Sequence, residues 1–140
     1  MRTWLVDTGP LVAYLEARDP GHREVVHRLD RFTGQLATTG AVITEAMHFV
    51  SAHRSGPSLL AEFAVSGDLQ VFNFSEPLQL REAAARMETY ADTPMDYADA
   101  TLVMLSEQLD TLEILTLDRR GFSTYRDRDG RAFAMVLDQD

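Results

Sequence analysis

Cysteine is absent from the 140-residue chain, and so is lysine: all thirteen basic residues are arginine. Without cysteine there is no disulfide framework, no thiolate nucleophile and no cysteine-ligated zinc. Without lysine there is no P-loop lysine, no Schiff-base chemistry and no lysine-assisted phosphoryl transfer. No apolar run approaches the length that spans a bilayer, and Asp7 interrupts the N-terminus too early for a signal-peptide core. The expectation is a soluble, cytoplasmic protein without membrane contact. A basic surplus is also missing, the net charge being -9. Backbone affinity for nucleic acid usually comes from a basic face, so any such partner would need help from divalent metal or from a basic protein.

The negative charge is unevenly placed. Residues 1–37 hold five Arg against five acids and residues 118–140 again five against five, whereas 38–117 holds Arg54, Arg81 and Arg86 against twelve acids. The length suits one domain with a core of its own, and no linker, repeat or low-complexity stretch divides it, so residues 1–140 are read as a single unit.

Along the chain, apolar β-prone runs alternate with helical periodicity. Thr3 to Val6 reads as a buried strand ending at Asp7. Thr8 is placed to cap a helix that Pro10 begins. A turn at Asp19-Pro20-Gly21 precedes a helix from His22 to Phe32. Gln35 to Thr38 reads as a strand, Ala41 to Arg54 as a helix, Ser58 to Val65 as another, and Leu69 to Phe72 as a strand. Ser75 is placed to cap a helix from Pro77 to Tyr90. Thr93 starts the next helix, with Asp96 in its capping-box position, and this runs to Leu109. Leu112 to Leu117 forms a fourth strand, followed at once by Asp118, and Phe133 to Leu137 a fifth. The alternation predicts an α/β three-layer sandwich, with a mainly parallel sheet of four or five strands flanked by helices.

In such sheets ligands bind beyond the carboxyl ends of the strands, where Asp7 and Asp118 stand. Thr8 and Thr116 place a small hydroxyl beside each. Glu45 lies in a helix among apolar Ile43, Ala46 and Met47. Asp96 and Asp99 share one helical face, and Asp99 sits between two alanines ahead of a wholly apolar segment, an expensive place for an unpaired carboxylate. Several gathered carboxylates suit hard, oxygen-preferring cations such as Mg²⁺ or Mn²⁺, and the chemistry implied is metal-assisted hydrolysis of a phosphate ester.

These segments resemble a known family. Val6-Asp7-Thr8-Gly9-Pro10-Leu11-Val12-Ala13 is similar to the opening of PIN-domain proteins, especially the VapC toxins of bacterial toxin–antitoxin pairs. Met95-Asp96-Tyr97-Ala98-Asp99-Ala100-Thr101-Leu102-Val103 and Leu115-Thr116-Leu117-Asp118-Arg119-Arg120-Gly121-Phe122 resemble two further motifs, and Thr44 to Phe49 an intervening one more loosely. The resemblance implies a metal-dependent ribonuclease acting on single-stranded or loop RNA, a homodimer, and a cognate antitoxin that blocks the active site. It makes Asp7, Glu45, Asp99 and Asp118 the catalytic, metal-binding acids, with Asp96, Thr116 and Thr8 as auxiliary residues.

Two other classes remain at this stage. A phospho-acceptor receiver-like signalling domain has the same size and layering, but resembles a family that needs a lysine near the phosphate. A stand-alone nuclease without antitoxin shares every site residue. A haloacid-dehalogenase-like phosphatase would want a second Asp two residues after Asp7, where Gly9 stands. Glu45 and His48 have the Glu-x-x-His spacing of di-iron bundles, yet only one copy occurs. His48 reads as a packed or surface residue, and His22, His27 and His53 show no ligand spacing.

Overall fold

The computed structural model describes residues 1–139. Five parallel strands, β1 (Thr3–Val6), β2 (Gln35–Thr39), β3 (Gln70–Phe72), β4 (Glu113–Leu115) and β5 (Ala134–Met135), form one sheet in the order β3-β2-β1-β4-β5. The expected sheet was mainly parallel; every pairing in it is parallel. Seven helices connect the strands: α1 (Thr8–Leu15), α2 (His22–Leu29), α3 (Gly40–Val50), α4 (Gly56–Ser66), α5 (Pro77–Thr89), α6 (Tyr97–Leu109) and α7 (Arg119–Thr124). The chain steps outward from β1 through β2 to β3, then crosses back to place β4 on the other side of β1. Right-handed crossovers therefore put α1 to α4 on one face and α5 to α7 on the other.

Coverage of both faces explains the sequence of β1, where Trp4, Leu5 and Val6 are all buried without alternation. The core continues through Leu11, Val42, Leu60, Leu102, Leu105 and Ile114, each nearly inaccessible. At about 25 cal/mol per Å² of apolar surface, a buried leucine of this kind contributes roughly 2 kcal/mol.

Several helix starts differ from expectation. Asp7 rather than Thr8 caps α1, its carboxylate accepting from the Thr8 amide. Glu76 rather than Ser75 caps α5, in a box with Gln79. Asp96, not Thr93, caps α6: its Oδ1 accepts from the Asp99 amide at 2.8 Å, and Asp99 Oδ2 accepts from the Asp96 amide at 3.1 Å. The capping box is thus shifted by three residues, and Asp99 occupies the position assigned to Asp96. α2 and α3 also end earlier than their apolar periodicity suggested, at Leu29 and Val50.

Candidate active site

The strand order reverses between β1 and β4, so a crevice opens where β1 leads into α1 and β4 leads into α7. Asp7 follows β1 directly. Its backbone N–H donates to Leu115 O at 3.0 Å, which extends the β1–β4 ladder to the site itself. β4 stops at Leu115 rather than Leu117, because Thr116 turns its hydroxyl out of the ladder and donates to Asp7 Oδ2 at 2.8 Å. The same hydroxyl oxygen accepts from the Asp118 amide at 3.0 Å. Asp118 lies three residues beyond β4 and caps α7, its Oδ1 accepting from the Gly121 amide at 3.0 Å. One buried threonine thereby holds the carboxylate of Asp7 and the backbone of Asp118, residues brought from opposite ends of the chain.

Hydroxyls also set the helices that carry the other acids. Thr101 donates to Ala98 O, so the proton in its 2.8 Å contact with Thr39 comes from Thr39. Thr39 accepts from the Val42 amide as the cap of α3, and neighbouring Thr38 donates to Val6 O. α3 and α6 are thus tied together and to β1 near the crevice. They deliver Glu45 from one wall and Asp96 and Asp99 from the other.

The outcome is an open cleft of about 480 Å³. Asp7, Glu45, Asp96, Asp99 and Asp118 all line it, together with Asp19, Thr8, Gly9, Val12, Phe49 and Leu117. No Arg or His forms an ion pair with any of these six acids among the described residues. Asp7 is 7% exposed, and burial is the main cause that raises its carboxyl to about 6; repulsion from Asp118 and Asp96 adds to this, against the hydrogen bonds from Thr116 and Thr8. Asp99 is raised to about 8, first by burial and then by the charges of Asp7 and Asp96. A set of hard oxygen donors, crowded by like charge and without a protein cation, has the chemistry that Mg²⁺ or Mn²⁺ prefers. Among the described residues no three of these side chains converge into a preassembled cage. The donors are gathered around a space, and side-chain rotation is needed to close them on one ion.

Thr8 lines the same cleft, and its buried hydroxyl has no hydrogen-bond partner. The orphan costs about 1–3 kcal/mol unless something in the cleft satisfies it. His48 is exposed, packs its ring against Phe49 and does not line the cleft, which leaves the Glu-x-x-His spacing without a partner set. Two contributors escaped the sequence reading. Asp19 was assigned to a turn and does accept from the Gly21 amide, yet it also borders the cleft. Phe49 was read only as the last residue of the motif that begins at Thr44, although its position four residues after Glu45 put it on the Glu45 face.

A family model of the PIN domain matches residues 4–127. Ribonuclease VapC26 of Mycobacterium tuberculosis (strain ATCC 25618 / H37Rv) is 32% identical to this chain, over 94% of it and 98% of the relative. Among solved structures, that of Mycobacterium tuberculosis VapC20, a Sarcin-Ricin loop cleaving toxin, superposes with a TM-score of 0.74 at 16% identity, covering 84% of this chain and 91% of that one. FitAcB from Neisseria gonorrhoeae gives 0.59 at 18% identity, covering 86% and 91%. These two likenesses concern the fold. With the PIN model spanning most of its length and a VapC ribonuclease matched nearly end to end, the chain belongs to the PIN-domain family, among the VapC ribonucleases.

Proposed function

We propose that this VapC-type ribonuclease is the toxin of a type II toxin–antitoxin pair and hydrolyses phosphodiester bonds in single-stranded or loop RNA with Mg²⁺ or Mn²⁺ in the cytoplasm. The observation that carries the metal dependence is the carboxylate cleft itself: Asp7, Glu45, Asp99 and Asp118 line one space, two of them held above the ordinary carboxyl range and none paired with a cation. These four residues would hold the ion, with Asp96 beside them. A divalent cation there supplies an activated water and neutralises charge on the phosphate as the P–O bond breaks.

The chain's own contribution is orientation. Thr116 and the Thr8 amide fix both oxygens of Asp7, and Thr116 and Gly121 hold Asp118, so the two carboxylates lose little further freedom on binding. Asp99 spends one oxygen on the α6 cap and keeps the other for a ligand. Glu45 approaches from α3 on the opposite wall. The unpartnered Thr8 hydroxyl can donate to a phosphate oxygen or to a water. Water held beside the carboxylates serves as the nucleophile, and metal-assisted hydrolysis of this kind requires no side-chain nucleophile.

The acidic middle segment gives an antitoxin bearing arginine or lysine a surface to steer toward, and the partner also compensates a charge surplus that RNA would not. A homodimer completes the reading. The direct test is cleavage of total RNA by purified protein in Mg²⁺ and in chelator. Cutting that stops in chelator and returns with Mg²⁺ or Mn²⁺ is expected; chelator-resistant cutting would overturn the metal assignment.

A further inference from the structure

The acid cleft poses a problem for RNA binding that charge alone does not solve. Among the described residues six carboxylates line it and no arginine does, so these side chains offer the phosphate no attraction of their own. Phe49 lines this same cleft, on α3 one turn beyond Glu45, and is 52% exposed. Its ring meets that of the exposed His48 at a steep angle, with centroids 5.5 Å apart and planes at 64°. Val12 and Leu117 supply further apolar lining. An aromatic residue of this size left half in water at a catalytic rim costs burial that a core position would have given. A nucleobase is neutral, flat and indifferent to nearby carboxylates, and stacking on an aromatic ring brings about 1–3 kcal/mol per base.

We infer that Phe49 is the stacking platform for a base next to the scissile phosphate, so that stacking supplies affinity that no arginine side chain of the cleft provides. The inference rests on the cleft being the RNA-cutting site. Phe49 is a positioning residue: it touches the substrate's base and aligns the phosphate with the acids one helical turn away.

The test is a double-substitution cycle between protein and RNA. The probe is a synthetic hairpin whose loop carries the cut site mapped for the parent on total RNA, together with versions that lack one base at a time beside the cut. With the parent, one missing base should raise KM about tenfold or more. Phe49→Ala should raise KM on the intact hairpin by a similar factor, more than it lowers kcat, and should be insensitive to the same missing base. Phe49→Trp should restore KM. Leu59→Ala removes another half-exposed apolar side chain, outside the cleft, and should leave KM unmoved. Melting of each variant by circular dichroism establishes that it is folded. An unchanged KM in Phe49→Ala, or effects of the two substitutions that simply multiply, would overturn the inference. Weaker antitoxin binding with unchanged cleavage would also overturn it, assigning Phe49 to the partner surface instead. If the parent cuts no RNA with Mg²⁺ or Mn²⁺, the reading beneath the inference fails first, and the inference with it.

Discussion

Replacing Asp99 by Asn separates a working carboxylate from a structural one. Its Oδ2 completes the α6 capping box, and an asparagine oxygen can accept the same Asp96 N–H, so the substitution spares the cap while deleting the charge. The charge is the costly part. Asp99 rises from 3.8 to about 8, mainly through burial and then through Asp7 and Asp96. This sets a ceiling of about 6 kcal/mol against the ionised form. Rotation toward the open cleft and screening by salt leave about 1–2 kcal/mol. The raised carboxyl binds a proton more tightly in the folded chain than in the unfolded one. Its contribution to stability is therefore complete below about pH 4 and is lost as pH climbs to about 8. In chelator at pH 8, Asp99→Asn should melt about 3–7 °C above the parent. At pH 4 or just below, where Asp99 is largely protonated in the folded and unfolded chain alike, the two should nearly coincide. Adding Mg²⁺ should then raise the parent more than the variant, since metal stabilises by its affinity for the folded state. The assay is thermal melting at both pH values, with chelator and with Mg²⁺, beside RNA cleavage, which the variant should lose. A variant that melts at or below the parent in chelator at pH 8 would refute the repulsion argument. A variant with full metal response and full cleavage would refute the role as ligand.

Thr116→Val keeps the shape of a fully buried side chain while removing the hydroxyl shared by Asp7 and Asp118; it should cost about 2 kcal/mol in urea melts at pH 8 and lower cleavage at limiting Mg²⁺. Gly121→Ala should reduce cleavage at least tenfold and cost about 1 kcal/mol of stability, because a Cβ there collides with the Asp118 carboxylate, turns it off its cap and crowds the buried Tyr125 hydroxyl. Cleavage at equal stability in parent and variant would show that Asp118 need not hold its present orientation. Binding of Mg²⁺ at pH 7 should release protons, Asp99 being protonated until about pH 8 and Asp7 until about 6. Calorimetry in buffers of different ionisation heat reads this directly, and a binding heat independent of buffer would count against it.

Much of the scaffold was legible because parallel strands leave continuous apolar runs. β1 has the limits its sequence suggests, and β2 differs by one residue. What lay beyond reach was set by competition among neighbours. Leu112 to Leu117 reads as one strand, but Thr116 has a better use for its hydroxyl than the ladder has for its backbone. α7 was missed altogether, because a six-residue helix opening on Asp118-Arg119-Arg120-Gly121 has turn chemistry and no apolar period. Its buried anchors, Phe122 and Tyr125, are recognisable only once α5 to α7 share a face. Both Thr93 and Asp96 satisfy the capping-box pattern toward an acid three residues on, and local sequence could not choose between them. That choice matters chemically, for it gives Asp99 a backbone partner that its apolar flanks did not suggest.

The pairing of β1 with β4 joins Leu5 to Ile114 and Val6 to Leu115, contacts that are remote in sequence. Asp7 and Glu45 leave the ribosome early, whereas Thr116, which orients Asp7, and Asp118, which faces it, leave late. Formation of such distant contacts must wait for the intervening chain. A growing polypeptide of this protein therefore carries its first acids out of the ribosome before the residues that complete the cleft exist. On the proposed reading synthesis itself acts as a sheath, since a chain that stops before residue 116 lacks both the hydroxyl that orients Asp7 and the carboxylate of Asp118.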